Sequence, residues 1–147
     1  MSFGGLGYRY DRRLSSAFSL GGNLFGNFTA SEMGGVIEDY SGVIGLVATL
    51  RFFPLRSFYI ELGAGGGWSV RDRGSGGNYR NVFGFMLAPA AGWKIDFGRP
   101  GGFFINPFVS FPITIGNVTR WNYYGDRRRS GGALHHIRFG IGLGRAF

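Results

Sequence analysis

The 147-residue chain has no cysteine, 5 prolines, 2 histidines and a single lysine, Lys94. Without cysteine there is neither a disulfide framework nor a thiolate metal site. No stretch approaches the roughly 18 consecutive apolar residues of a membrane-spanning helix. The 29 glycines, each costing about 1 kcal/mol in a helix interior, argue against helices generally. Acidic residues are scarce, 8 against 16 basic ones, for a net charge of +8. Every basic residue except Lys94 is arginine, the side chain suited to bidentate contact with phosphate or carboxylate. Disorder is excluded, because 18% aromatic and 44% hydrophobic content supplies apolar surface that disordered chains lack.

What is present is alternation with period two, in segments longer than ordinary globular strands. Residues 81–97 place Phe83, Phe85, Leu87, Trp93, Ile95 and Phe97 on one face, and Gly84, Ala88, Ala90, Gly92, Lys94 and Asp96 on the other. Residues 103–116, 57–70 and 133–147 repeat the pattern, 14–28 and 40–53 follow it less cleanly, and 2–10 is the weakest, which predicts seven strands. Short connections are expected near Asp11 to Arg13, Pro54 to Ser57 and Gly98 to Gly102, and long polar ones near 29–39, 71–80 and 117–132. That asymmetry predicts an all-β, up-and-down antiparallel barrel in a single domain, with short turns at one end.

The size of the two faces decides which one points inward. A soluble, lipocalin-like barrel would put the apolar face inside, but seven faces carrying so many Phe, Trp and Leu side chains do not fit a barrel of about eight strands. The glycine-rich polar face does fit. The apolar face is therefore expected to meet lipid, with Tyr8, Tyr10, Phe52, Phe58, Trp68, Phe97, Phe103 and Trp121 as interfacial aromatics.

The C-terminal run Gly140-Ile141-Gly142-Leu143-Gly144-Arg145-Ala146-Phe147 resembles the assembly signal of bacterial outer-membrane β-barrels, with Gly142, Leu143 and the terminal Phe147 as its elements and Arg145 where an aromatic is usual. The chain as a whole is similar to the small, eight-stranded members of that group. The resemblance implies an integral outer-membrane location, contact with outer-membrane lipid and lipopolysaccharide, and recognition by the barrel-insertion machinery. It also implies an eighth strand and a cleaved export signal upstream of Met1.

The expected lumen charges are Arg9, Arg51, Glu61, Lys94, Asp96 and Arg138. A register in which paired numbers sum to 112 sets Arg51 against Glu61. These charges fit a polar plug inside a filled barrel, with a charged constriction in a narrow pore as the alternative. Inward Gly63, Gly65, Gly67, Gly140, Gly142 and Gly144 make room for Phe25, Tyr59, Phe104 and Phe108. No catalytic residue, metal site or cofactor is expected. His135 and His136 point to opposite faces of a strand, and the His/Ser spacing that the resemblance to lipid-A-modifying barrels would require is missing.

The remaining distinctive feature is the third long connection, where Arg120, Trp121, Tyr123, Tyr124, Arg127, Arg128 and Arg129 form an expected external interaction patch. Arginines interleaved with aromatics can bind anionic polymers, or can simply sit among lipopolysaccharide phosphates. No specific nucleic-acid partner is expected, because no recognition motif is present. The functional expectation is a structural or surface-interaction protein, with a small-solute pore second and a lipid-A enzyme third.

Overall fold

The computed structural model describes residues 2–33, 36–73, 79–97, 103–121 and 127–145. They form ten strands: β1 (Ser2–Arg13), β2 (Phe18–Met33), β3 (Val36–Phe52), β4 (Phe58–Arg73), β5 (Tyr79–Trp93), β6 (Ile95–Phe97), β7 (Phe103–Ser110), β8 (Ile113–Trp121), β9 (Arg127–His135) and β10 (Arg138–Arg145). Three pairs of these are single ribbons with a local break. β5 and β6 are separated only by Lys94, β7 and β8 by Phe111 and Pro112, and β9 and β10 by His136 and Ile137. Seven long strands thus follow one another in chain order, all pairings antiparallel.

The breaks leave the registers intact. Pairs of β5 with β7, β5 with β8 and β6 with β7 all sum to 200, and pairs of β8 with β9 and β7 with β10 sum to 248. Pro112 has no N–H for the ladder, and single bonds carry the pairing past it, from Phe111 N–H to the Pro89 carbonyl at 2.9 Å and from His136 N–H to the Pro112 carbonyl at 3.0 Å.

The sheet curls through 258° into an open half-barrel. β1 and the ribbon of β9 and β10 form its two edges, and no pairing joins them among the described residues. The convex face is apolar: Leu46 is 64% exposed, Leu62 55%, Phe85 52% and Ile141 73%. The concave face holds a core of Phe25, Val43, Val47, Met86 and Ala88, and a second cluster of Val82, Val118 and Leu134. The outward and inward sets follow the alternation in the sequence, with one exception. Val70, expected outward, is fully buried, because it and the Phe28 ring both close over Gly42.

Two expectations about connections are corrected. The first turn is Leu14 to Ala17, not Asp11 to Arg13. Arg13 continues β1 and donates to the carbonyls of Ser15 and Ser16 at 3.1 and 2.9 Å, while Ser15 Oγ accepts from the N–H groups of Ala17 and Phe18 at 3.2 and 3.1 Å. The described residues of the regions 29–39, 71–80 and 117–132 are strand, since β2 runs to Met33, β4 to Arg73 and β8 to Trp121, with β3, β5 and β9 resuming at Val36, Tyr79 and Arg127, and residues 34–35, 74–78 and 122–126 lie outside the described residues. Backbone pairing continues past the point where side chains turn polar, because the ladder needs only N–H and C=O groups. The expected short connection Gly98 to Gly102 lies outside the described residues.

Candidate functional site in the lumen

The polar interior is organised in rows that run across the strands. Following the registers, Arg13, Ser19, Arg51, Glu61, Ala90, Ser110 and Arg138 succeed one another around the concave face. All are inward by the alternation, so the meander gathers into one row three arginines and a glutamate that are far apart in sequence. Another row is Gly7, Phe25, Gly45, Gly67, Gly84, Gly116 and Gly132. Six glycines leave the interior at that level to the Phe25 ring. A Cβ on Gly45 would lie 2.8 Å from Phe25 Cζ and 2.5 Å from Met86 Sδ, closer than real Cβ atoms approach. Gly92 and Gly140 similarly seat the rings of Tyr59 and Phe108.

The structure joins four charges into one cluster. Arg51 Nε donates to Glu61 Oε2 at 2.5 Å, and Arg9 Nη2 donates to Glu61 Oε1 at 2.5 Å. Arg51 Nη1 also meets Asp11 Oδ2 at 3.0 Å, and Arg9 Nε lies 3.8 Å from the same oxygen. Arg51 and Glu61 are 4% and 3% exposed. Two carboxylates between two guanidiniums form a neutral group, which offsets the desolvation that would make any one of these charges untenable alone. The Tyr59 ring covers the Arg51 guanidinium at 4.3 Å, and its hydroxyl donates to Asn106 Oδ1 at 2.8 Å. Asp11 is the residue that sequence reasoning missed. Its odd position in β1 puts it on the same face as Arg9, but the turn had been assigned to it.

The other expected lumen charges stand apart. Lys94 Nζ pairs with Asp96 Oδ1 at 3.0 Å at the short-turn rim, where the Asp96 side chain is 59% exposed, and Lys94 lies over the Phe104 ring at 4.8 Å. Arg138 has no carboxylate partner among the described residues, and its guanidinium lies 3.9 Å from the centroid of the Phe25 ring. A cavity of about 1770 Å³ runs along the open side, lined by Arg9, Asp11, Arg51, Lys94, Asp96, Asn106 and Arg138 among others. The interior is therefore packed on the side of β3, β4 and β5 and open along β1 and β10.

The expected external patch is only partly described. Arg120 and Trp121 end β8 and Arg127 to Arg129 begin β9, with Arg120 paired to Arg128 and Trp121 to Arg127. These residues thus belong to a projecting hairpin rather than to a free loop, and Tyr123 and Tyr124 lie outside the described residues. In the C-terminal run, Gly142 and Leu143 pair with Asn106 and Ile105, with Leu143 78% exposed on the convex face. Phe147 lies outside the described residues. His135 is exposed and His136 buried, on opposite faces. No group of three metal-ligating side chains occurs among the described residues.

Comparison with protein-family models, curated proteins and solved structures finds no match for this chain.

Proposed function

We propose that this chain is the body of a small β-barrel that spans the bacterial outer membrane, with a structural or surface-interaction role and no catalytic one. The observation that carries this reading is the convex face. Its large apolar side chains are widely exposed, far beyond the few hundred Å² of contiguous apolar surface that soluble monomers tolerate, while ionic and polar groups are turned inward. A bilayer is the solvent for which that inversion is favourable. Ring pairs at the short-turn end, Phe18 with Phe52 at 5.2 Å and Phe58 with Trp93 at 4.8 Å, fit an interfacial aromatic belt.

The open side supports an eight-stranded closure. Six steps between neighbouring strands share 258°, about 43° each, so the remaining 102° is roughly two steps and takes one further strand. The first and seventh strands of a meander run in the same direction, so one strand between them restores antiparallel pairing at both edges. In this reading the projecting Arg120 to Arg129 hairpin faces the cell exterior, among lipopolysaccharide phosphates. The cavity favours a second reading, a narrow pore for small solutes.

The test is refolding from urea into lipid vesicles and into detergent. Flotation with the vesicles and a heat-dependent shift in gel mobility are expected. A monomer that folds in buffer free of detergent would overturn the membrane reading. Conductance in planar bilayers separates pore from plug.

A further inference from the structure

Among the buried ionic side chains described, Arg51 and Glu61 belong to the four-charge cluster, whereas Arg138 makes no direct ion pair and feels the already shared Glu61 only at longer range. Arg138 is 8% exposed and lines the cavity. Its guanidinium lies 3.9 and 5.7 Å from the ring centroids of Phe25 and Phe108. A cation–π contact of this kind does not itself occupy the N–H donors.

Two further polar groups beside it lack partners. Ser110 is the register partner of Arg138 on the adjacent strand, is 4% exposed, and its hydroxyl makes no hydrogen bond. Opposed residues in an antiparallel pair have Cβ atoms about 4.5–5.5 Å apart. His136, two residues before Arg138, is 7% exposed and its Nε2 is unpartnered. All three flank the place where both ribbons break, between Ser110 and Ile113 and between His135 and Arg138. Such irregularities re-aim side chains next to binding sites.

We propose that Arg138, which lines the cavity, takes a phosphate or carboxylate group entering through it, and that Ser110 and His136, buried in the wall beside Arg138 and outside the cavity lining, complete the oxyanion site. A guanidinium binds such groups through two parallel N–H···O contacts, the Ser110 hydroxyl supplies a further donor, and His136 supplies another in the tautomer that is protonated on Nε2. The oxyanion also provides the direct counter-charge that Arg138 lacks while Glu61 is held by Arg9 and Arg51. The cavity lining favours anions, with eight basic and four acidic side chains, and such an excess raises the local anion concentration. The inference concerns the interior alone and does not depend on the membrane reading.

The test uses the 147-residue protein folded in a non-ionic detergent. Inorganic phosphate and acetate are titrated calorimetrically at ionic strength fixed with chloride, and dihexanoyl phosphatidic acid is added in mixed micelles. Saturable binding is expected for at least one probe, weakened about tenfold or more in Arg138→Gln, as for loss of a charge-assisted bidentate contact. Arg80→Gln, at an exposed position, keeps wild-type affinity. Ser110→Ala, which changes no charge, weakens binding several-fold, so a failure of Arg138→Gln to fold leaves the proposal testable. Binding of inorganic phosphate or acetate identifies a soluble ligand, and binding of phosphatidic acid alone identifies a lipid headgroup. No saturable binding of any probe, or equal affinity in wild type and Ser110→Ala, overturns the site.

Discussion

Arg9 on β1 donates to Glu61 on β4 across the lumen, 52 residues away in sequence, and so ties the first strand of the meander to the fourth. Arg51, the neighbour of Glu61 in the ladder, occupies the other carboxylate oxygen. Glu61 is therefore shared, and its loss leaves two guanidiniums, of Arg51 and the half-buried Arg9, to the single carboxylate of Asp11.

Stability of the charge cluster should follow from that sharing. Removing one partner of a buried ion pair typically costs about 3–5 kcal/mol, and Glu61→Gln should lower the melting temperature of the detergent-folded protein accordingly. The double variant Arg51→Met with Glu61→Leu should recover much of the loss, since Arg9 and Asp11 remain as a pair. Adding Arg9→Met should forfeit part of that recovery, since it takes from Asp11 its second arginine. Additive losses across the series, measured by thermal denaturation, would show that the three residues are uncoupled.

Glycines on the two faces should respond oppositely. A side chain at Gly45 meets Phe25 and Met86, whereas one at Gly66 meets nothing within 4 Å. Gly45→Val should cost about 1–3 kcal/mol as overpacking. Gly66→Ala should be neutral or stabilise by up to about 1 kcal/mol by restricting the unfolded chain. Urea unfolding in vesicles measures both, and equal effects would mean that the inward face is not close-packed here.

Charge on the convex face separates lipid from water as its solvent. Leu46→Arg, at a position 64% exposed on β3, should destabilise the vesicle-folded protein by about 2–4 kcal/mol if the site lies near the bilayer midplane. The same change on a water-facing surface stays within about 0.5 kcal/mol.

Orientation can be read with cysteines at Ser130 and Ser57, which lie towards opposite ends of the barrel and are exposed. An impermeant thiol reagent applied to intact cells should label the first and spare the second. Labelling at Ser57 alone would invert the topology and remove the exterior role of the Arg120 to Arg129 hairpin.

If that hairpin binds an anionic polymer, replacing Arg127, Arg128 and Arg129 by Gln should flatten the salt dependence, because each phosphate contact releases counterions. Trp121→Ala should weaken binding without altering the slope, by about 1–3 kcal/mol if Trp121 stacks on a base. Binding that is independent of salt in the parent protein would leave the arginines without this role.

The strands, their number, the inward and outward sets and the opposition of Arg51 to Glu61 were legible in the sequence, because alternation with period two records directly which side of a sheet each residue faces. Where pairing ends was not legible. Hydropathy reports the surroundings of side chains, whereas the ladder is made by backbone groups, so polar stretches such as Arg127 to His135 pair as fully as apolar ones. Nor could parity along a strand show that Asp11 completes the pair around Arg51, that Arg9 spans the lumen, or that Arg138 meets two aromatic rings and makes no ion pair among the described residues. Those contacts depend on curvature. A flat sheet would hold β1 and β4 three strand spacings apart, about 14 Å, and only the 258° curl turns their inward side chains towards one another.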